Sequence, residues 1–215
     1  MNARHPQAGP LHFDPAAHRY TVDGEHVPNV TSILAPLSAY SAAIPAAVLA
    51  NKAAIGQAVH RAAELLNDGA LDWSSLHAVI RPYAEAYARF REERDFAPVL
   101  TEARVWHPML RFAGTLDSLG MLRGEPALVD LKATVDLMPT VGPQTAAYRE
   151  ATIADPQLSD DIQEVARRAR RWCLQLGADG GYRLTPCDDP NDWRVFLSAL
   201  TIHTFKAKHA KHYQH

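Results

Sequence analysis

Asp117, Asp130 and Lys132 carry the chemistry most worth explaining in this chain, because all three lie in a stretch that otherwise reads as buried sheet. In Ala127-Leu128-Val129-Asp130-Leu131-Lys132 the two-residue period of a strand puts Asp130 and Lys132 on one face, with Val129 and Leu131 on the other. Arg123-Gly124-Glu125 reads as a short turn, so Asp117 on the preceding strand reaches the same edge. Burying such charges without partners is costly. Two carboxylates supply hard oxygen ligands for a divalent cation, the cation offsets their mutual repulsion, and a neighbouring ammonium can hold or polarise a water. An ordinary Asp–Lys ion pair at a strand edge satisfies the same spacing, and spacing alone leaves both readings open.

The elements that must position these residues read as follows. Leu11–Phe13 and Tyr20–Val22 are short strand pieces, with an Asp23-Gly24 turn after the second. Pro28-Asn29-Val30-Thr31 leads into a helix capped by Asn29 or Thr31. Ala42 to about Asp68 is helical in pattern with an interruption near Ile55-Gly56, and Ser74 to Arg94 predicts a second long helix. Strands follow at Leu100–Trp106, Arg111–Leu122 and Ala127–Lys132, then a helix at Gln144–Ile153. A hairpin joins Arg171–Leu176 to Tyr182–Pro186 through Asp179-Gly180-Gly181, and a last helix runs from Asp189-Pro190 to Lys208. This order predicts an α+β fold, with a restriction-endonuclease-like mixed central sheet flanked by helices.

With 215 residues, 47% hydrophobic and 21% charged, the chain reads as a single domain, with a loose leader at 1–10 and a basic, His-rich tail at 206–215. It has no long apolar run and no signal-peptide pattern, so no membrane association and a cytoplasmic location are expected. Two cysteines, Cys173 and Cys187, exclude a disulfide framework and a four-cysteine iron–sulfur cluster. The net charge is −2, yet nine Lys and Arg against six Asp and Glu fall from Asp161 onward, concentrated at Arg167–Arg171 and in the tail. Such clusters form solvated helix faces or touch a polyanion.

Asp117 followed by Asp130-Leu131-Lys132 resembles the PD-(D/E)xK nuclease core, with Gly114-Thr115-Leu116-Asp117 in place of the proline–aspartate pair. Gly56-Gln57-Ala58-Val59-His60 upstream and Gln144-Thr145-Ala146-Ala147-Tyr148 downstream are similar to the helices of the RecB and lambda-exonuclease branch. The resemblance spans nearly the whole chain, including similarity to phage and prophage exonuclease-like proteins at both ends.

The resemblance implies a metal-dependent DNA exonuclease of phage, prophage or bacterial recombination and repair. Its catalytic groups would be Asp117, Asp130 and Lys132, and its metal ligands His60, Asp117, Asp130 and the Leu131 carbonyl, holding one or two Mg²⁺ or Mn²⁺ ions. Gln144, Tyr148, Glu64 and Glu102 would support the centre or contact DNA, and basic residues after Arg167 would contact the phosphate backbone. Linear duplex or single-stranded DNA is the implied partner, with a recombinase or single-strand-binding protein as a further one. Two alternatives are a structure-specific or restriction-type endonuclease on the same core and a catalytically silent DNA- or partner-binding module. The last would be marked by loss of Asp117, Asp130 or Lys132, and all three are present.

Overall fold

The computed structural model describes residues 10–38 and 46–210. Most of the leader and the end of the tail lie outside them. The fold is α+β, as expected: a five-stranded mixed sheet flanked by helices, with a separate three-stranded sheet at its side.

The small sheet comprises β1 (Leu11–Asp14), β2 (Arg19–Val22) and β3 (Glu25–Val27), all antiparallel. Asn29 then caps α1 (Val30–Leu34), its side chain accepting from the Ser32 N–H at 2.7 Å. Asn29 also bridges to Ala113, which ties this unit to the large sheet. The long helix α2 (Ala46–Asn67) runs unbroken through Gly56, against the expected interruption at Ile55-Gly56. A glycine costs about 1 kcal/mol inside a helix relative to alanine. The surrounding alanines, and burial of Val59, Ala62 and Ala63 in one core cluster with Ile80, Ala84 and Tyr87, outweigh that.

The second helix, α3 (Arg81–Glu93), begins later than expected. Ser74 instead sits in a 3₁₀ turn, Trp73–Ser75, where the Asp72 carboxylate captures the Ser74 N–H at 2.9 Å and competes with helix formation. Next come β4 (Phe96–His107), β5 (Phe112–Leu122) and β6 (Glu125–Lys132), an antiparallel meander. Two helices, α4 (Val141–Ala154) and α5 (Asp160–Arg168), cross over to β7 (Arg170–Leu176), which pairs parallel to β6. A crossover of that length is what parallel pairing requires. The expected hairpin follows, β7 with β8 (Tyr182–Pro186), and α6 (Asp192–Lys208) closes the fold.

Helices cover both faces of the sheet. Leu116, Leu119 and Leu128 pack with α1, α4 and α6 in one core layer, while Val129, Leu131 and Leu174 pack with α2 and α3 in the other. No helix among the described residues is long and apolar enough to cross a membrane.

Within the basic cluster at Arg167–Arg171, Arg167, Arg168 and Arg170 are exposed, whereas Arg171 does not reach the surface. Arg171 is buried, its Nη1 donating to Asp192 Oδ2 (2.9 Å), the Gly142 carbonyl (2.8 Å) and Thr145 Oγ1 (3.2 Å), so it pins α4 and α6 to β7. Arg167 pairs with Glu164 at 3.1 Å, and Arg170 lies over the Trp172 ring. Arg170 and Arg171 flank Ala127 and Leu128 at the start of β6, whereas Asp130 and Lys132 lie at its far end.

Candidate active site

The β5–β6 ladder runs from Leu122 and Glu125 to Ser118 and Val129 and stops one step before Asp117 and Asp130. The flanking ladders continue past that point, β5 along β4 and β6 along β7. The sheet therefore opens between its two middle strands where the carboxylates stand. The gap is bridged by Asp117, whose Oδ2 accepts from the Leu131 N–H at 2.6 Å. A strand residue presents its N–H and C=O to the same edge. The Leu131 carbonyl thus faces the Asp117 side, as its expected ligand role requires.

On the other side of β5, Thr101 pairs with Ser118 and Ala103 with Leu116, so Glu102 stands across from Asp117. Glu102, Asp117 and Asp130 accordingly form a row of carboxylates across three adjacent strands. The period-two pattern breaks here: Leu116 and Leu119, three residues apart, share one core layer, as do Leu100 and Ala103 on β4. Glu102 itself has φ +47°, a left-handed conformation costly to a residue with a Cβ. Like charges side by side on neighbouring strands are destabilising. Strained backbone and adjacent carboxylates together mark a place where the sheet is bent to assemble a site rather than to gain stability.

Two cations face the row. His60, two turns from the end of α2, places Nδ1 3.0 Å from Glu102 Oε1 and 3.4 Å from Asp117 Oδ1. The Lys132 ammonium sits 2.7 Å from Asp130 Oδ2 but out of hydrogen-bond alignment, and Asp130 Oδ1 has no partner although the residue is 1% exposed. The nearby Asp117 charge raises the His60 imidazole to about 11, against burial, with Glu102 adding to the effect. Burial pushes the Asp130 carboxyl up to about 6, with Lys132 pulling it down and Asp117 adding to the rise. Burial would also raise Asp117, but His60, Lys132 and the Leu131 N–H outweigh it and hold that carboxyl below the usual range. Burial would lower Lys132, yet Asp130 and Asp117 hold it well above the ordinary lysine range, as an ammonium.

α4 closes the site. Gln144 Nε2 donates to the Tyr148 hydroxyl at 3.1 Å, and the two carboxylates raise the buried Tyr148 phenol beyond what burial alone does. Tyr148 lies so close to β5 that only glycine fits at position 114: a Cβ there would stand 2.6 Å from Tyr148 Cε1 and 3.3 Å from Val30 Cγ2. Gly114→Ala is therefore expected to lower stability by about 1–3 kcal/mol, read from the denaturant midpoint.

Of the residues singled out in the sequence, His60, Glu102, Asp117, Asp130 and Lys132 form one cluster, with Gln144 and Tyr148 beside it. Glu64 does not join them; it pairs with Arg61 at 2.5 Å on the cleft rim. The cleft, ≈ 510 Å³, has a further wall that sequence reasoning missed, made by His18, Tyr20 and Asn29. Tyr20 reaches it through a 2.7 Å hydrogen bond with Thr115, a contact between residues 95 apart that no local pattern announces.

His60, Glu102 and Asp117 each bring a ligand atom within 4.8 Å of the others. Carboxylate oxygens with one imidazole suit Mg²⁺ or Mn²⁺ better than a soft-ligand metal. The partnerless, buried Asp130 Oδ1 is a lone pair that such an ion would satisfy. No protein-family model matches the chain, and neither does any curated protein.

Proposed function

We propose that this protein is a metal-dependent deoxyribonuclease that hydrolyses phosphodiester bonds from strand ends. The observation that carries the reading is the row Glu102–Asp117–Asp130 at an opening in the sheet, faced by His60 and Lys132. Such a row has no stabilising purpose of its own, and it meets the ligand needs of a hard divalent cation.

Glu102, Asp117, Asp130 and His60 would hold Mg²⁺ or Mn²⁺, with the Leu131 carbonyl at the same edge. When bound, the ion supplies Lewis acidity toward the phosphate and lowers the pKa of water. Lys132 carries no lone pair while it is an ammonium, so it orients the attacking water and stabilises negative charge on the phosphate rather than abstracting a proton. Asp130 holds that ammonium in place at 2.7 Å. Tyr148 and Gln144 wall the cleft and limit access of bulk water. Hydrolysis adds one water across a P–O ester bond and leaves a phosphate monoester and a hydroxyl.

The cluster's protonation predicts how binding couples to pH. His60 titrates near 11 in the metal-free protein, so at pH 7.5 an ion must displace its proton. Calorimetry in buffers of different ionisation enthalpy is expected to register release of about one proton per bound Mn²⁺. Apparent affinity should weaken as pH falls, with a steeper loss below about 6 where Asp130 also protonates.

The function is tested on end-labelled linear DNA. Mg²⁺ or Mn²⁺ should support stepwise shortening, and a chelator should stop it. Cutting of closed circular DNA would overturn the strand-end assignment and leave the chemistry standing.

A further inference from the structure

A second groove, ≈ 1050 Å³, adjoins the catalytic cleft, and the two share Gly56, His60 and Lys132 in their walls. Lys132 therefore stands where they meet. One side of the second groove is the N-terminal half of α2, including Lys52; the other is the β7–β8 hairpin, including Arg183. Among the described residues, neither Lys52 nor Arg183 has a side-chain partner. The groove also holds two carboxylates, Asp136 and Asp179, the second accepting from the Gly181 N–H at 2.9 Å.

Gly56 supplies the second, independent observation. It occupies a helix interior where alanine would be favoured, yet a Cβ there would meet no protein atom within 4 Å. Packing within the protein thus gives no reason for the missing side chain. Its position, on the floor common to both grooves, points to something outside the protein that passes close to the α2 backbone.

We propose that one nucleic-acid strand threads from the catalytic cleft over Gly56 into this second groove, with Lys52 and Arg183 gripping its phosphates. The proposal rests on the nuclease reading above and adds the substrate class: a single strand, not an intact duplex. The recess of the centre supports this, since Asp130 is 1% and Asp117 9% exposed. A phosphodiester must leave the duplex surface to reach them. Gly56, Lys52 and His60 lie four residues apart along α2, so they face the strand as one stripe.

The test compares two probes with Mn²⁺ and the full chain: a single-stranded oligothymidylate of twelve nucleotides, and thymidine 5′-monophosphate p-nitrophenyl ester, which spans only the scissile position. The double substitution Lys52→Glu with Arg183→Glu should lower the ratio of kcat/KM on the oligonucleotide to that on the ester by about tenfold or more. Loss of two phosphate contacts should also flatten the log–log salt dependence of oligonucleotide binding by about 1.4. Gly56→Leu should lower the same ratio through bulk, without altering charge. A wild-type protein that cleaves both probes, with the ratio unmoved by all these substitutions, overturns the track alone. Blunt duplex bound as tightly as single strand overturns the single-strand assignment. A wild type that shortens end-labelled linear duplex but cleaves neither probe overturns the single-strand track alone, and one that cleaves neither probe nor linear duplex removes the nuclease reading and the track with it.

Discussion

Asp130→Asn is expected to reduce metal-dependent DNA cleavage by about 10³-fold or more, while leaving the metal-free protein no less stable above pH 6 than the wild type. The opposite signs have one cause. Asp130 is buried, one of its oxygens has no partner, and its carboxyl titrates near 6 in the fold. A folded-state pKa above the unfolded one means that the folded protein binds more protons between the two values. Stability from this group therefore falls as pH rises from about 4 to about 6, and the cost persists at every higher pH. Asparagine removes the buried charge and keeps an oxygen for the Lys132 ammonium. Melting curves in chelator across pH 4.5–8 are expected to show the wild type losing stability through that window and the variant changing less. A variant that cuts at the wild-type rate would mean that the ion, if one acts, is held elsewhere.

Lys132→Ala is expected to reduce turnover by about 10²–10⁴-fold while leaving Mn²⁺ binding intact. Lys132 contributes no lone pair to a metal in its ammonium form, but among the described residues it is the only basic side chain paired with Asp130. Its removal leaves Asp130 and Asp117 closer to mutual repulsion, so Mn²⁺ is expected to bind the variant at least as tightly as the wild type. Titration calorimetry reads the binding and single-turnover hydrolysis reads the rate. Equal loss of both would make Lys132 a structural counter-ion rather than a group acting on the phosphate.

Sequence reasoning reached Asp117, Asp130 and Lys132 because a two-residue period and a short turn are local signals. His60 with Gly56, and Tyr148 with Gln144, were singled out by the resemblance to the nuclease motifs, and the four-residue spacing added only that each pair shares one helix face. The same resemblance singled out Glu102 as an acidic residue on the preceding strand, but its place in the row was not legible. Its φ of +47° and the break in alternation on both strands lie outside any pattern that assumes regular pleating. Arg171 shows the opposite failure. In the sequence it belongs to a basic run that reads as surface, whereas in the fold its partners are Asp192, Gly142 and Thr145, all distant along the chain. α5 went unread because Asp160–Arg168 is mostly charged, and only Ala166 is buried in it. The parallel pairing of β6 with β7 depends on a crossover through two helices, which no window of sequence contains.

The central claim is that the carboxylate row serves phosphodiester hydrolysis, and one measurement addresses it directly: single-turnover cleavage of an end-labelled DNA strand with Mg²⁺ by the wild type and by Asp117→Asn. Asp117 stands in the middle of the row, touches His60 and bridges the opening to Leu131, so no other single carboxylate joins as many parts of the site. Cleavage by the wild type that falls about 10³-fold or more in the variant is the predicted result. Cleavage at equal rates by both proteins, or by neither at saturating Mg²⁺, would contradict it.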